Sequence, residues 1–466
     1  MAQITFLGAV GEVTGSRYLI ETDSAKLLLE CGLHQGGSKA EERNRHSLAE
    51  LARTVDAVIV SHGHLDHSGL VPRLVHDGYA GPIYCTEGTF ELLQIMWRDA
   101  AQVMGRELEW ENRWRERSGR PLVEPVYLPE DVDQALEQCR PFPYGQPLDL
   151  CEDARLVFRD AGHILGSAIV ELAVQSGGRE RRLVFSGDLG NPQSVLMREP
   201  ESLESADIVL MESTYGDRDH RPLEDTIEEF AGILEDAHAQ GGNVLIPAFA
   251  VGRTQELLYH LGALRREGRL LQQHIFLDSP MAIEVTELYH RRRRSLEAED
   301  VASSGWKSGQ LAESILPGLQ LSRTVDESMA INRIHGGAII IAGSGMCNGG
   351  RIRHHLKYNL GRRNCRIIIA GFQAAGTLGR QLVDGAETVK LFGEAIAVRA
   401  SIHTLGGFSA HAGQSELMAW AGRYRTRPRV FLVHGEPHAQ EQLQQALKTQ
   451  FEIDAVIPQP GQTEPL

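Results

Sequence analysis

The chain reads as an α/β protein built from two interleaved modules: a βα module, an inserted doubly wound α/β module, and a return to the first. Three observations predict this plan. Over the first 210 residues, short apolar runs alternate with Gly-rich turns. From about residue 213, each strand-like run is followed by a segment of helical period. Beyond about residue 388 the texture becomes β-rich again and ends in one helix-like stretch.

In chain order, the first module predicts strands at 3–9, 17–22, 26–30, 55–60, 83–85, 155–159, 168–174, 182–186 and 207–211. Residues 88–140 interrupt them. They are rich in Arg, Glu and Gln, with helical period and Pro and Gly breaks at 119–129, which predicts a helical excursion on the surface. In the second module Val244–Pro247 precedes a helix at 252–264, and His274–Leu277 precedes one at 280–293. Ala338–Ala342 precedes a helix near 350–359, and Arg366–Ala370 precedes one at 376–383. The tail predicts strands near 389–391, 396–402 and 430–433 and a helix at 437–450. The divisions fall at 1–212, 213–395 and 396–466.

A mass of 51.5 kDa with 42% hydrophobic residues is enough for two or three packed domains. The formal charge of −15 excludes a blanket basic surface, but a local groove or a metal pair can still hold phosphates. Six cysteines without a C-x-x-C pair suggest reduced thiols rather than a disulfide frame or a zinc knuckle. No apolar run approaches the ~20 residues of a membrane span, and the N-terminus opens on a strand-like segment without a leader pattern. The expectation is a soluble, cytoplasmic protein.

The stretch Ser61-His62-Gly63-His64-Leu65-Asp66-His67 carries three histidines and an aspartate directly behind the apolar run Val55 to Val60. It therefore falls on the loop at a strand's C-terminal end, where α/β folds place chemistry. In an extended loop His62 and His64 project to one side, while Asp66 and His67 lie at the first turn of the coming helix. One loop then offers two nitrogens to one metal and an oxygen plus a nitrogen to a second, a donor set that suits zinc, or manganese less tightly. Further ligands must come from elsewhere. Asp160-Ala161-Gly162-His163, Ser186-Gly187-Asp188 and Leu432-Val433-His434-Gly435 each place a polar residue beside a glycine after a predicted strand.

These motifs, with Thr14-Gly15-Ser16 and Leu29-Glu30-Cys31-Gly32, resemble the ordered motifs of the metallo-β-lactamase fold. The inserted module resembles the β-CASP domain of RNA-processing nucleases through Met211-Glu212-Ser213-Thr214-Tyr215-Gly216, Ala342-Gly343-Ser344-Gly345-Met346 and Gly407-Phe408-Ser409-Ala410-His411-Ala412. The resemblance implies an αββα sandwich interrupted by a doubly wound β-CASP domain. It also implies two Zn2+, with Mn2+ as an alternative. His62, His64 and His163 would hold one, Asp66, His67 and His434 the other, and Asp188 would bridge them. Asp66, Asp188, Glu212 and His411 become the catalytic set.

The implied reaction is hydrolysis of RNA phosphodiesters by a two-metal-activated hydroxide, leaving 5′-phosphate and 3′-hydroxyl ends, with internal cutting and cutting from the 5′ end both open. His411, held by Glu212, would protonate the leaving 3′-oxygen. The turn Gly343 to Gly350 ends a strand and opens a helix, so Ser344, Gly345 and Met346 read as a phosphate cradle, with Arg351, Arg253 and Arg380 as nearby cations. Glu30 stands where the family usually has Asp, a residue that supports the metal shell without being a ligand, and Gly413 stands where an Asp often follows the histidine motif. RNA is the expected partner, and a homodimer the default assembly. Competing readings are a β-CASP DNA nuclease, an RNA-binding scaffold and a small-molecule hydrolase. His434 disfavours the first, since DNA-acting members tend to lack it, and the full ligand set disfavours the second. The long insert and the Glu212/His411 pair disfavour the third.

Overall fold

A computed structural model describes residues 2–304, 315–374 and 376–466. It divides into two compact units. The first comprises Met1–Pro192, Glu199–Asp219 and His411–Leu466, and the second Gln193–Arg198 and His220–Ala410.

The first unit holds two sheets. One runs β21-β1-β2-β3-β4-β5-β6, made of β1 (Gln3–Gly8), β2 (Arg17–Glu21), β3 (Lys26–Leu29), β4 (Ala57–Ile59), β5 (Ile83–Thr86), β6 (Cys139–Phe142) and β21 (Thr463–Pro465). The other runs β20-β11-β10-β9-β8-β7, made of β7 (Leu148–Cys151), β8 (Ala154–Asp160), β9 (Ala168–Ser176), β10 (Arg179–Phe185), β11 (Ile208–Glu212) and β20 (Arg429–Val433).

Alternation along the strands builds the core between them. Ile4, Phe6, Tyr18, Ile20, Leu27 and Leu29 of the first sheet pack with Phe158, Val170, Leu172, Phe185, Leu210 and Phe431 of the second. The outer face of each sheet is covered by helices. Leu70, Leu74, Leu93, Trp97, Val132 and Leu136 cover the first, and Leu417, Trp420, Leu443 and Leu447 cover the second. The unit is therefore an αββα sandwich, the fold class expected from the sequence.

The second unit contains a parallel sheet in the order β14-β13-β15-β12-β16-β19, from β12 (Val244–Pro247), β13 (His274–Leu277), β14 (Leu319–Leu321), β15 (Ala338–Ala342), β16 (Arg366–Ile369) and β19 (Ser401–Thr404). A two-stranded ribbon, β17 (Thr388–Leu391) and β18 (Glu394–Ala397), accompanies it. Its central strands are buried throughout (Val244–Pro247, Ala338–Ala342 and Arg366–Ile369), as a parallel sheet covered on both faces requires. Ser401–Thr404 pairs with Arg366–Ile369, so this strand belongs to the second unit's sheet although the sequence division placed it in the return segment from 396.

The excursion at 88–140 is a 31-residue helix, Glu87–Arg117, followed by the helix Pro129–Gln138. Its first half is built into the sandwich. Trp97 donates from Nε1 to Ser68 Oγ at 3.2 Å, and Thr89 Oγ1 donates to the Gly166 carbonyl at 2.7 Å. Among the described residues no helix is long and apolar enough to cross a membrane.

The turn after β3 is tied to the histidine loop through the backbone. Cys31 N donates to His67 O, Leu33 N to Leu65 O, and Ser16 N to Asp66 O. Gly32 lies so close to this loop that a Cβ there would sit 1.7 Å from the Asp66 carbonyl oxygen. Gly32→Ala is expected to cost about 2–4 kcal/mol, because two backbone segments must separate. Urea unfolding checks this, and an unchanged midpoint contradicts it.

Candidate metal centre

The strand directions bring the predicted ligands to one end of the sandwich. β10, β11 and β20 are parallel neighbours, and Asp188, Glu212 and His434 sit at or just past their C-terminal ends. His163 follows β8 and the histidine loop follows β4. His64 caps the short helix Leu65–Ser68, which turns Asp66 and His67 back toward the same spot.

Two groups result. His62 Nε2 and His163 Nε2 each lie 3.2 Å from His64 Nδ1, and Asp188 Oδ2 is 3.5 and 3.6 Å from the same two Nε2 atoms. In the second group His67 Nε2 lies 3.1 Å from His434 Nε2 and 3.1 Å from Asp188 Oδ1, with Asp66 Oδ2 3.5 Å from His434 Nε2. All seven sequence-predicted ligands are thus brought together, with Asp188 touching both groups.

The imidazole tautomers follow from the surrounding hydrogen bonds. Ser61 Oγ donates to Glu30 Oε2, so it accepts from His62 Nδ1 at 3.0 Å and leaves the His62 Nε2 lone pair facing inward. Glu30 Oε2 accepts from His67 Nδ1 at 2.5 Å, with the same consequence for His67 Nε2. Thr214 Oγ1 donates to the His434 carbonyl and accepts from His434 Nδ1 at 3.1 Å.

With both rings neutral, the Nε2 lone pairs of His67 and His434 meet at 3.1 Å and repel unless a cation lies between them. Their separation is close to the ~3.3 Å edge of a tetrahedron whose metal–nitrogen bonds are about 2.0–2.1 Å. Asp188 Oδ1 is buried with no hydrogen-bond partner among the described residues. The donor set therefore fits divalent metal at both groups.

Electrostatics point the same way. Burial opposes charge on Asp188, but His434, His67 and His62 hold its carboxyl well below the ordinary range. Burial likewise opposes a proton on His67, yet Asp188 and Glu30 raise its basicity well above the ordinary value. A nitrogen made that basic by carboxylates is a strong ligand for a cation, which displaces the proton. His62 and His64 go the opposite way: burial first, then neighbouring imidazoles, keep them neutral.

Sequence reasoning gave Glu30 a supporting role but missed Ser61 and Thr214, whose partners are visible only in three dimensions. Glu30 is fully buried and also accepts from Ser61 N at 2.6 Å, so its extra methylene is accommodated by contacts to two partners. Glu30→Gln is expected to weaken binding of a divalent metal about 10–100-fold by removing the charge behind His67. Competition against a zinc chelator measures it, and wild-type affinity contradicts it.

Glu212 and His411 meet beside this centre. Glu212 Oε1 accepts from Leu189 N at 2.6 Å and lies 3.4 Å from His411 Nδ1. His411 is held by a bridge to Gly190 and by Ala412 N donating to Leu189 O, and its ring centroid is 4.4 Å from that of His163. Gly413 leaves room for acidic groups from elsewhere: Glu416 Oε2 accepts from Gly413 N and Asp219 Oδ1 from Ser415 N.

The predicted phosphate-contacting residues lie in the second unit. Ser344 N and Oγ bond across the turn to Gly349 O, and Ile352 N to Gly343 O, so the turn around Gly345 and Met346 is closed on itself. The three cations are engaged. Arg351 donates to Asp278 Oδ1 at 2.7 Å and to the Ser322 and Arg323 carbonyls. Arg253 is buried against Glu256, and Arg380 pairs with Asp384 at 2.9 Å. Arg351 is therefore a strut on the buried Asp278, which also binds His355 at 2.6 Å, rather than a side chain open to ligand.

Sandwich and site together define a metallo-hydrolase. The metallo-β-lactamase superfamily matches residues 10–238, the β-CASP domain 254–382, and the Zn-dependent metallo-hydrolase RNA specificity domain 395–458. The chain belongs to the β-CASP family of metallo-β-lactamase-fold proteins. It is 42% identical over 434 residues to the ribonuclease TTHA0252 of Thermus thermophilus, covering 93% of each chain. It is 31% identical to the transcription termination factor FttA of Cenarchaeum symbiosum, covering 98% of this chain and 70% of that protein. A protein of unknown function from Enterococcus faecalis shares the fold, with a TM-score of 0.53 at 12% identity over the full length of both chains.

Proposed function

We propose that the chain is a zinc-dependent ribonuclease with two Zn2+ (or Mn2+), held by His62, His64 and His163 and by Asp66, His67 and His434, with Asp188 shared. The observation that carries the reading is the convergence of seven ligand-type side chains into two groups around Asp188 Oδ1 and Oδ2. Similarity to a ribonuclease over nearly the whole chain supports RNA as the substrate.

When bound, divalent cations supply activated water and charge neutralisation at the scissile phosphate. The remaining work falls to the chain. Glu212, pinned by Leu189 N, orients His411 through Nδ1, and the opposite Nε2 delivers a proton to the departing 3′-oxygen. The products are a 5′-phosphate and a 3′-hydroxyl. The turn of Ser344, Gly345 and Met346 is proposed to meet an RNA phosphate through the backbone N–H groups of Gly345 and Met346, while Arg351, Arg253 and Arg380, each paired with a carboxylate, brace the unit. A cytoplasmic homodimer completes the proposal, with internal cutting and cutting from the 5′ end as the two modes to be separated.

The test is cleavage of one end-labelled RNA and the matching single-stranded DNA, with and without chelator. Chelator-sensitive cutting of RNA alone is the expected result, and its fragment ladder separates internal cutting from trimming. Cutting of DNA alone favours a DNA nuclease, and survival of both strands with zinc and manganese present sinks the nuclease reading.

A further inference from the structure

The second half of the long helix Glu87–Arg117 is unlike its first. Leu92, Leu93, Trp97 and Ala101 are buried, but Trp110 is 73% exposed and Trp114 47%. Large aromatic side chains are rarely left in water without a use, and two at i and i+4 stand one above the other on a helix. At 100° per residue, Arg106, Arg113 and Arg117 fall within about 60° of Trp110 on the same face. Arg120, just past the helix end, sets its guanidinium 4.8 Å from the Trp114 ring centroid. Among the described residues Arg106 and Arg117 have no carboxylate within ion-pair distance, and Arg113 shares only an exposed pair with Glu109 at 3.2 Å. A local run of guanidiniums thus flanks two indoles on a chain of net charge −15.

The opposite face of the same turns is fixed. Asn112 Nδ2 donates to Val123 O and Asn112 Oδ1 accepts from Val123 N, both at 2.9 Å. Arg115 pairs with Glu111 at 2.7 Å, and Arg45 reaches Glu111 from another element. The exposed indoles are therefore presented on a braced helix.

We infer that Trp110 and Trp114, with Arg106, Arg113, Arg117 and Arg120, form a stacking platform for single-stranded RNA, away from the metal centre and on the same unit. Bases stack on indoles whatever their identity, and guanidiniums between the indoles neutralise the intervening phosphates. The helix also relates this platform to the chemistry. Its first two turns lie under the loops that carry the ligand-type residues, since a Cβ on Gly63 would touch Leu92 and Thr89 bonds the Gly166 carbonyl. Trp110 lies about 30 Å farther along the axis at 1.5 Å per residue. An RNA engaged at both points spans several nucleotides, so the platform favours long single strands over short ones. This inference rests on RNA being the substrate.

The test uses the full chain and a uridine 20-mer in chelator, so that binding is measured without cutting. Trp110→Ala/Trp114→Ala is expected to weaken binding about tenfold or more and to abolish most quenching of tryptophan fluorescence. Trp110→Phe/Trp114→Phe keeps a stacking face and is expected to retain most of the affinity. Replacing Arg106, Arg113 and Arg117 by Gln should lower the slope of log affinity against log salt by about 2. Cleavage with zinc is followed in parallel. RNA bound and cut equally by the wild type and the alanine variant overturns the platform and leaves the nuclease standing. RNA neither bound nor cut by the wild type overturns both. A dimer-to-monomer shift in the alanine variant at unchanged RNA affinity overturns the platform in favour of self-association.

Discussion

Asp188→Asn is expected to lose metal from both groups and to reduce RNA cleavage on the order of 10³-fold or more. The magnitude follows from the several kcal/mol of charge stabilisation that a bound divalent cation supplies, at about 1.4 kcal/mol per decade. Asp188 faces both sets of imidazoles, through Oδ2 to His62 and His163 and through Oδ1 to His67 and His434. An amide keeps the shape but brings a neutral oxygen and an N–H donor into a pocket of lone pairs, where the donor repels a cation. Elemental analysis of the purified variant reads the metal content. Wild-type stoichiometry with full turnover would falsify the shared-ligand assignment.

His411→Ala is expected to keep its metal and lose about 10²–10⁴-fold in turnover, the range for removal of a positioned acid. The side chain faces Glu212 and is not one of the seven converging ligands. Its pH dependence gives the sign. Burial pulls its proton affinity down, but the Glu212 carboxylate, followed by Asp188 and Asp66, raises its pKa to about 9. The proton is therefore present at neutral pH and lost as pH climbs toward 9. An acid acts only while protonated, so turnover should fall on the alkaline side. Cations on Asp188 and Asp66 cancel two of the three supporting carboxylates and move that limb below 9. The alanine variant should lack the limb. If it loses zinc instead, His411 is a ligand and the proton comes from elsewhere.

The candidate metal centre was legible because its ligand-type residues are dense or repetitive in sequence. Four fall within six residues, and the other three each follow an apolar run beside a glycine. The sandwich was legible for the same reason, since period-two burial in strands such as Gln3–Gly8 and Arg17–Glu21 survives in the sequence. What escaped depends on partners far apart in the chain. Thr214 meets His434 only because β11 and β20 are neighbours, and Arg351 meets Asp278 across 73 positions. Reading Arg351 as a phosphate contact from its place beside a Gly-rich turn ignored that a nearby buried carboxylate takes a guanidinium first. β6 went unnoticed because Pro141 breaks the strand signal, and it is tolerated there because β6 is an edge strand. The helix Leu223–Ala239 was missed despite its buried Phe230, Ile233, Leu234 and Ala237, a fully helical spacing.

The insertion of β20 beside β11 has a temporal meaning. Six of the seven proposed ligands are synthesised by residue 188, but the seventh, His434, arrives only after the whole second unit has been made. Until then β11 has a bare edge, and the second group of donors is short of one nitrogen. A nascent or truncated chain therefore carries a nearly finished first group and an incomplete second one. On the proposed two-metal reading such a product takes up metal without cutting, so a nuclease made among its own substrates stays silent until β20 is home.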